Sequence, residues 1–504
     1  MPPPDSAPSP AHVTPPATVE PRLTSLRRTK IVCTIGPASA DDGTIDRLIA
    51  AGMNVARLNM SHSSRKDAAD LLERIRRLAA TRNVPVAILV DLQGPKIRTG
   101  TLIGGGPVIL HQGDHFAITT HPIEGTTEAV STEYAGLPED VQPGDRVLLS
   151  DGAIELQAES IRNGTVRCRV IEGGELRERQ GISLPGGDIR APSLTPKDED
   201  DLRWAVAHGA DFLAISFVRR ADDVVAARRL VKEAGGDTPL IAKLEKPQAL
   251  SQLEEILAVS DGVMVARGDM GVELPPEQVP VWQKRIITAA NKRLVPVITA
   301  TQMLESMIRE PRPTRAEATD VANAIWDGTD AVMLSGETSI GAHPVAAVAI
   351  MDRIIRSAEQ EPAYNLTHTI DRRESDIAHA ISLAAYHAVQ GMPEVRAIAA
   401  FTRNGATAQL VSKDRPAVPI LGFCADDRIA RRLALYHGVV PIPSDEVRNL
   451  DEMLEATETF GAQSGVLQPG NLVAVMGHLP LDLPGSTNFL MLHRIGDAPH
   501  RTDT

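Results

Sequence analysis

Cysteine is scarce in this chain of 504 residues: Cys33, Cys168 and Cys424 are odd in number and far apart. They offer neither a disulfide framework nor a zinc-ligand spacing, which points to a reducing, cytoplasmic setting. Cys33, in the middle of "KIVCTIGP", reads as a small core residue. Aromatic residues make up only 3% of the chain, too few for a surface that stacks nucleic-acid bases. A basic excess is also missing. The formal net charge of −13 argues against a partner recognised through its phosphate backbone. No apolar run is long enough to cross a bilayer, so neither nucleic acid nor membrane is expected as a partner. An acidic protein that handles anions must gather its cations locally.

The length calls for several domains, and 42% hydrophobic with 23% charged residues is ordinary for a globular chain. Residues 1–24, rich in Pro, Ser and Ala, lack the apolar stretch of a secretory signal and read as a disordered tail. Short apolar runs follow: "KIVCTIG", "NVARLNM", "PVAILVDL", "DFLAISFV", "PLIAKLE", "GVMVARG", "PVITAT" and "AVMLSG". Between most of them lie stretches of helical spacing with acids in the first turn, such as "DEDDLRWAVAHGA". Runs apolar on both faces suit parallel strands covered by helices. Eight such units over 25–95 and 191–360 predict an α/β fold, a (β/α)8 TIM barrel, with a doubly wound open sheet as the alternative. Within 96–190 helical spacing gives way to short strand-like segments separated by "PGD", "NG" and "GG" turns. This predicts a small β domain inserted in a barrel loop and able to act as a lid. Alternation resumes over 361–504, a C-terminal α/β domain.

In parallel barrels the working side chains lie at the carboxyl ends of the strands. Those ends hold Arg57, Asn59 and Ser61, then Asp91, Lys243 and Glu245, Asp269, Thr301 and Glu337. Glu245 and Asp269 are oxygen ligands of the kind Mg2+ takes, leaving places for substrate and water. Lys243 and Arg57 are cations of the kind that stabilise a transferring phosphoryl group. Each has a plainer reading. Lys243 and Glu245, two apart on one face of a strand, could simply pair. Asp269 could be a helix cap, and Arg57 could tie strands together. Their convergence on one barrel rim favours a site.

The segments "MNVARLNMSH", "DLQGPKIRTG", "MVARGDMGVE", "PVITATQMLESMI", "PRPTRAEATDVANAIWDGTDAVMLSGET" and "TRNGAT" run in order from about residue 28 almost to the C-terminus. In them the chain resembles the pyruvate kinases. That resemblance implies a barrel with a small inserted β-barrel lid and a C-terminal regulatory domain, assembled as a homotetramer. It implies phosphoryl transfer from phosphoenolpyruvate to ADP, giving pyruvate and ATP, with Mg2+ (or Mn2+) on Glu245 and Asp269. Lys243, helped by Arg57, would neutralise the phosphoryl group, and Thr301 would stand beside the enolate. The N–H groups of Gly268 and Asp269 would face the substrate carboxylate. His62, Arg98 and Arg179 would serve the nucleotide.

Many members of the family bind K+ through groups matching Asn59, Ser61, Asp91 and the residue after it, and carry a glutamate where this chain has Lys96. Leu92 and Gln93 here replace the usual Thr-Lys. The chain therefore resembles the K+-independent branch, in which the Lys96 ammonium replaces the ion and K+ is not required. The plainer alternative is a solvent-facing salt bridge from Lys96 to Asp91. "TRNGATAQLV", at a strand-to-helix junction, has the small and hydroxyl residues of an anion nest, although a helix cap by Thr407 explains them too. It resembles the family's effector loop, so Thr402, Arg403, Asn404, Gly405 and Thr407 are candidates for binding a sugar phosphate or AMP. Three departures are Gln180 and Ser183 in place of Lys and Asn, and Ser150 in place of Asp before Asp151-Gly152. Competing readings are another Mg2+-enolate barrel, an aldolase or mutase, and a silent metabolite sensor. The lid argues against the first, and the presence of every metal ligand and Lys243 argues against the second.

Overall fold

Residues 26–187, 190, 192–361, 376–480 and 485–497 are described by the structure, a computed structural model; the expected N-terminal tail lies outside them. Eight strands form a closed barrel: β1 (Lys30–Thr34), β2 (Val55–Asn59), β3 (Ala87–Asp91), β12 (Phe212–Ile215), β13 (Leu240–Leu244), β14 (Gly262–Ala266), β15 (Val297–Ala300) and β16 (Ala331–Leu334). All pair in parallel and close in the order β1-β16-β15-β14-β13-β12-β3-β2. Nearly every residue in them is buried, because one face fills the barrel and the other meets the helices. Thr195 and Thr314 start two of those helices, Pro196–Ala207 and Arg315–Trp326, with reciprocal capping boxes.

The segment between β3 and β12 carries β4 (Val108–Leu110), β5 (His115–Thr119), β6 (Ala129–Ser131), β7 (Arg146–Leu149), β8 (Ile154–Arg162), β9 (Thr165–Glu172), β10 (Gly174–Leu176) and β11 (Ile182–Ser183). Six of them form one sheet, β11-β7-β8-β9-β5-β6, and β10 pairs with β4. Arg98 bridges to Gly181 beside one edge and Thr99 to Thr132 beside the other. The first residues of the insertion thus connect the sheet's two edges, which a small β unit needs if it is to leave no open edge. Phe116, Ile118, Val147, Leu156 and Val166 fill its interior.

After the barrel, β17 (Val395–Phe401), β18 (Ile420–Cys424), β19 (Val439–Pro443), β20 (Leu472–Gly477) and β21 (Phe489–Arg494) make a sheet of order β19-β18-β17-β20-β21, antiparallel only at β21. This domain sits on the base of the barrel. Aspartates just ahead of the barrel strands anchor it. Asp211 accepts the Ile88 N–H at 2.7 Å and Asp330 the Val297 N–H at 2.8 Å. Each also meets cations from the C-terminal domain, Arg431 at 3.0 Å on Asp211, and Lys413 at 2.5 Å with Arg415 at 3.0 Å on Asp330. One carboxylate therefore satisfies a strand end and holds the neighbouring domain. The rim bearing the carboxyl ends of the strands is left for chemistry.

Lys30 at this base is buried, and its Nζ donates to Val439 O at 2.6 Å. Burial first, and Arg27 second, push its pKa down to about 7. In the unfolded chain Lys30 stays protonated up to its ordinary value, so between about pH 7 and that value the unfolded state binds more protons. Stability from this group is therefore expected to rise with pH above 7 and to be lost below it. Removing the amine in Lys30→Met should flatten that rise, by up to about 1.4 kcal/mol per pH unit. Denaturant unfolding of both proteins from pH 6.5 to 9 checks it; parallel curves would contradict it.

Candidate active site

The ends of β2, β3 and β13 bring four charged side chains into one buried network, joined by Ser216 after β12. Arg57 donates from Nε to Asp91 Oδ2 at 2.7 Å and from Nη1 to Thr34 Oγ1 at 2.9 Å. Asp91 is 1% exposed. Burial raises its pKa, but Lys243 and Arg57 outweigh that and hold it below the ordinary value. Lys243 donates to Ser216 Oγ at 2.8 Å and lies 3.6 Å from Asp91 Oδ1 and 3.7 Å from Glu245 Oε2. Burial works against its charge, yet Asp91, Glu245 and Asp269 together lift its pKa above the usual lysine value. It is a fixed ammonium at the floor of the site.

Glu245 accepts the Phe217 N–H on Oε1 at 2.5 Å, while its buried Oε2 has no hydrogen-bond partner. Burial pushes its pKa up to about 7, Lys243 opposes this, and Asp269 adds to it. A buried oxygen with no hydrogen bond, held only by the 3.7 Å ion pair to Lys243 and close enough to Asp269 for that carboxylate to raise its pKa, is poorly solvated as the chain stands, and a divalent cation would satisfy both carboxylates. Among the described residues no cluster of three or more His, Cys, Asp or Glu could hold a metal. A two-carboxylate site is the kind that Mg2+ completes with water and substrate oxygens. The residues present fit such an ion.

Asp269 sits on the short helix Arg267–Glu273 that follows β14. The Gly268 N–H at its start donates to Thr301 Oγ1 at 2.7 Å, so that group, expected free for a substrate carboxylate, is already paired. The Thr301 hydroxyl in turn donates to Ala300 O at 2.6 Å. Thr301 and Gln302 both take positive φ, 67° and 52°, a strained pair of the kind found where a loop is over-determined. Arg267, buried, holds it by donating to Thr301 O at 2.7 Å and Ala300 O at 3.3 Å. Glu337 turns elsewhere. Its two oxygens accept the Leu304 and Ser335 N–H groups at 3.0 and 2.7 Å, so this strand-end acid fixes the loop instead of joining the carboxylate pair.

Lys96 is not bridged to Asp91. Its ion pair is with Asp151 of the inserted sheet at 3.6 Å, and its side chain is 32% exposed. It stands at a junction of two spaces. One is a narrow cavity of about 30 Å³ between barrel and insertion, lined by Lys96, Asp151, Phe217, Glu245 and Asp269 among others. The other is a cleft of about 1070 Å³ whose lining includes Lys96, Arg98, Tyr134, Arg179 and Thr195. His62 lies near this junction: burial, then Arg98, Lys96 and Arg57, lower its pKa. Asn59 Oδ1 accepts the Ser61 N–H at 3.1 Å. Arg98 and Arg179 meet through Arg98 Nη1 and Arg179 O at 3.0 Å.

Strand-end reasoning passed over Ser216 and Phe217, although the same rule applied after β12 points to them. It also passed over Lys246 and Glu273, for which no sequence signal stood out. In the C-terminal domain, Thr402, Arg403, Asn404 and Thr407 line a separate cavity of about 520 Å³ at the start of the helix Ala406–Lys413, where Gly405 takes φ 91°. Thr407 is not the cap. Its hydroxyl pairs with Thr487 at 2.8 Å, while Thr402 Oγ1 accepts the Gly405 N–H at 2.9 Å and Asn404 Oδ1 the Ala406 N–H at 3.1 Å.

Known proteins match along most of the chain. Residues 26–348 match the family model described as pyruvate kinase, barrel domain, and residues 379–493 the one described as pyruvate kinase, alpha/beta domain. A pyruvate kinase of Staphylococcus epidermidis is 42% identical over 476 residues, 94% of this chain and 81% of that one. One from Staphylococcus saprophyticus is 43% identical over 477 residues, with the same coverage. A crystal structure of a pyruvate kinase from Cryptosporidium parvum superposes with a TM-score of 0.88 at 35% identity, covering 94% of this chain and 97% of that one.

Proposed function

We propose a division of labour within the cavity from one premise: the chain belongs to the pyruvate kinase family and is an enzyme of it. Enzymes of this family use phosphoenolpyruvate and ADP and need a divalent metal. The observation that carries the assignment is Lys243, an ammonium fixed between Asp91 and Glu245 with Asp269 close enough to raise its pKa. Glu245 and Asp269 would hold Mg2+ or Mn2+. When bound, that ion supplies positive charge against the phosphate, carboxylate and enolate oxygens.

The chain's own groups do the rest. Lys243 and Arg57 face the phosphoryl group as its bond to the enol oxygen breaks. The electron pair leaves with that oxygen, and a new P–O bond forms to the terminal phosphate of ADP. His62, Arg98 and Arg179, beside the large cleft, take the nucleotide phosphates. Closure of the inserted sheet over the rim excludes water. The enolate then gains a proton at its methylene carbon to become pyruvate. Thr301 positions the water that relays this proton, its own hydroxyl being too weak an acid to act alone. Thr301→Ser should keep turnover within about threefold, and Thr301→Ala should lose about a hundredfold. Unchanged turnover in the alanine variant would remove Thr301 from the relay.

Lys96 takes the role that K+ plays in other members, in which groups matching Asn59, Ser61 and Asp91 hold the ion. The enzyme works as a cytoplasmic homotetramer, and the loop Thr402–Thr407 receives a phosphorylated sugar or AMP. Pyruvate release from phosphoenolpyruvate, assayed with and without ADP and with the divalent cation chelated, tests the assignment. Release that needs both supports it, and release independent of ADP overturns it. Adding the two effectors to the same assay should shift the phosphoenolpyruvate saturation curve to lower concentration; an unmoved curve would take the loop out of regulation.

A further inference from the structure

We infer that Lys246 is a positioning residue for the divalent-cation site, tying together the three elements that present Glu245 and Asp269. This rests on the assignment of those carboxylates to the cation. Lys246 follows Glu245 directly and is only 6% exposed. Its Nζ meets Glu273 Oε1 at 2.5 Å, and both side chains are almost fully buried. Glu273 is four residues after Asp269 on the helix Arg267–Glu273, so the two acids lie on one face, a turn apart. The same ammonium stands 5.3 Å from the centroid of the Phe217 ring. Phe217 is the residue whose N–H grips Glu245, and it does so with φ at 57°, a conformation a bulky side chain adopts only when its surroundings impose it. One cation thus links the end of β13, the loop after β12 and the helix of Asp269.

Electrostatics alone gives the opposite expectation. An ammonium beside a cation site repels the incoming ion, so a role through charge predicts tighter metal binding once Lys246 is removed. A buried ion pair is also weak evidence of stability, because desolvation offsets the attraction. What remains is geometry: the pair sets the separation of Glu245 and Asp269 before the ion arrives.

The double variant Lys246→Met/Glu273→Gln removes both charges together and so leaves the net charge of the cavity unchanged. Free Mn2+ is followed by electron paramagnetic resonance in the absence of substrates, with circular dichroism confirming the fold. Mn2+ affinity should fall at least about tenfold in the double variant and stay within about threefold of the unmodified enzyme in Lys246→Arg. Equal affinity in the double variant would overturn the inference, as would an equal loss in the arginine variant. If the double variant does not fold, Phe217→Leu replaces it, expected to lose affinity several-fold with both charges intact; no loss there would overturn the inference too. Failure of the unmodified enzyme to bind Mn2+ would instead overturn the cation assignment itself, and the inference with it.

Discussion

Lys243→Met is expected to lower kcat by about 10³–10⁵-fold, the range seen when a cation that stabilises a transferring phosphoryl group is removed. The loss should fall on kcat, with little change in KM for phosphoenolpyruvate, because the ammonium works against charge that develops as the bond breaks. Its position explains the size. Lys243 is fixed by Ser216 at 2.8 Å and flanked by Asp91 and Glu245, so little reorganisation is needed at the moment of transfer. Lys243→Arg should fare almost as badly, since a planar guanidinium cannot occupy the place of a compact ammonium. Coupled pyruvate assays give both constants, and the near-ultraviolet circular dichroism of each variant shows whether the fold survives. A kcat within tenfold of the unmodified enzyme in a folded Lys243→Met would remove this residue from the chemistry.

The second large effect concerns monovalent ions. With sodium or tetramethylammonium as the only monovalent cation, the enzyme should run within about twofold of its rate in K+. Lys96→Glu restores the residue found in K+-binding members and should cut the K+-free rate by about 30–100-fold, with K+ recovering most of it. A single charge about 4 Å away at an effective dielectric near 20 is worth about 4 kcal/mol. Solvent screening of a side chain that is 32% exposed reduces that to roughly half. A steep K+ requirement in the unmodified enzyme would show that Lys96 is only the partner of Asp151.

The barrel was legible because its signal is local. Runs such as "PVAILVDL" and "GVMVARG" are apolar at every position, and the structure buries them on both faces as β3 and β14. The strand-end rule then needed only the order of strands to bring Arg57, Asp91, Lys243 and Glu245 onto one rim. It could not foresee Glu337, whose oxygens are consumed by two nearby N–H groups, because that choice depends on how the chain turns after β16. Lys246 was hidden by alternation. A residue next to Glu245 should point to the opposite face of a strand, but β13 ends at Leu244 and Lys246 begins the helix Pro247–Ser251. The partner of Lys96 was unreadable for a different reason. Asp151 lies 55 residues further along, and only the pairing of the inserted sheet brings it back.

The most direct measurement is phosphorus NMR of phosphoenolpyruvate, ADP, Mg2+ and the enzyme in a tetramethylammonium buffer free of K+. The expected result is loss of the phosphoenolpyruvate resonance matched one for one by growth of the γ-phosphate of ATP. Growth of inorganic phosphate in its place, or an unchanged spectrum with folded enzyme, would contradict it.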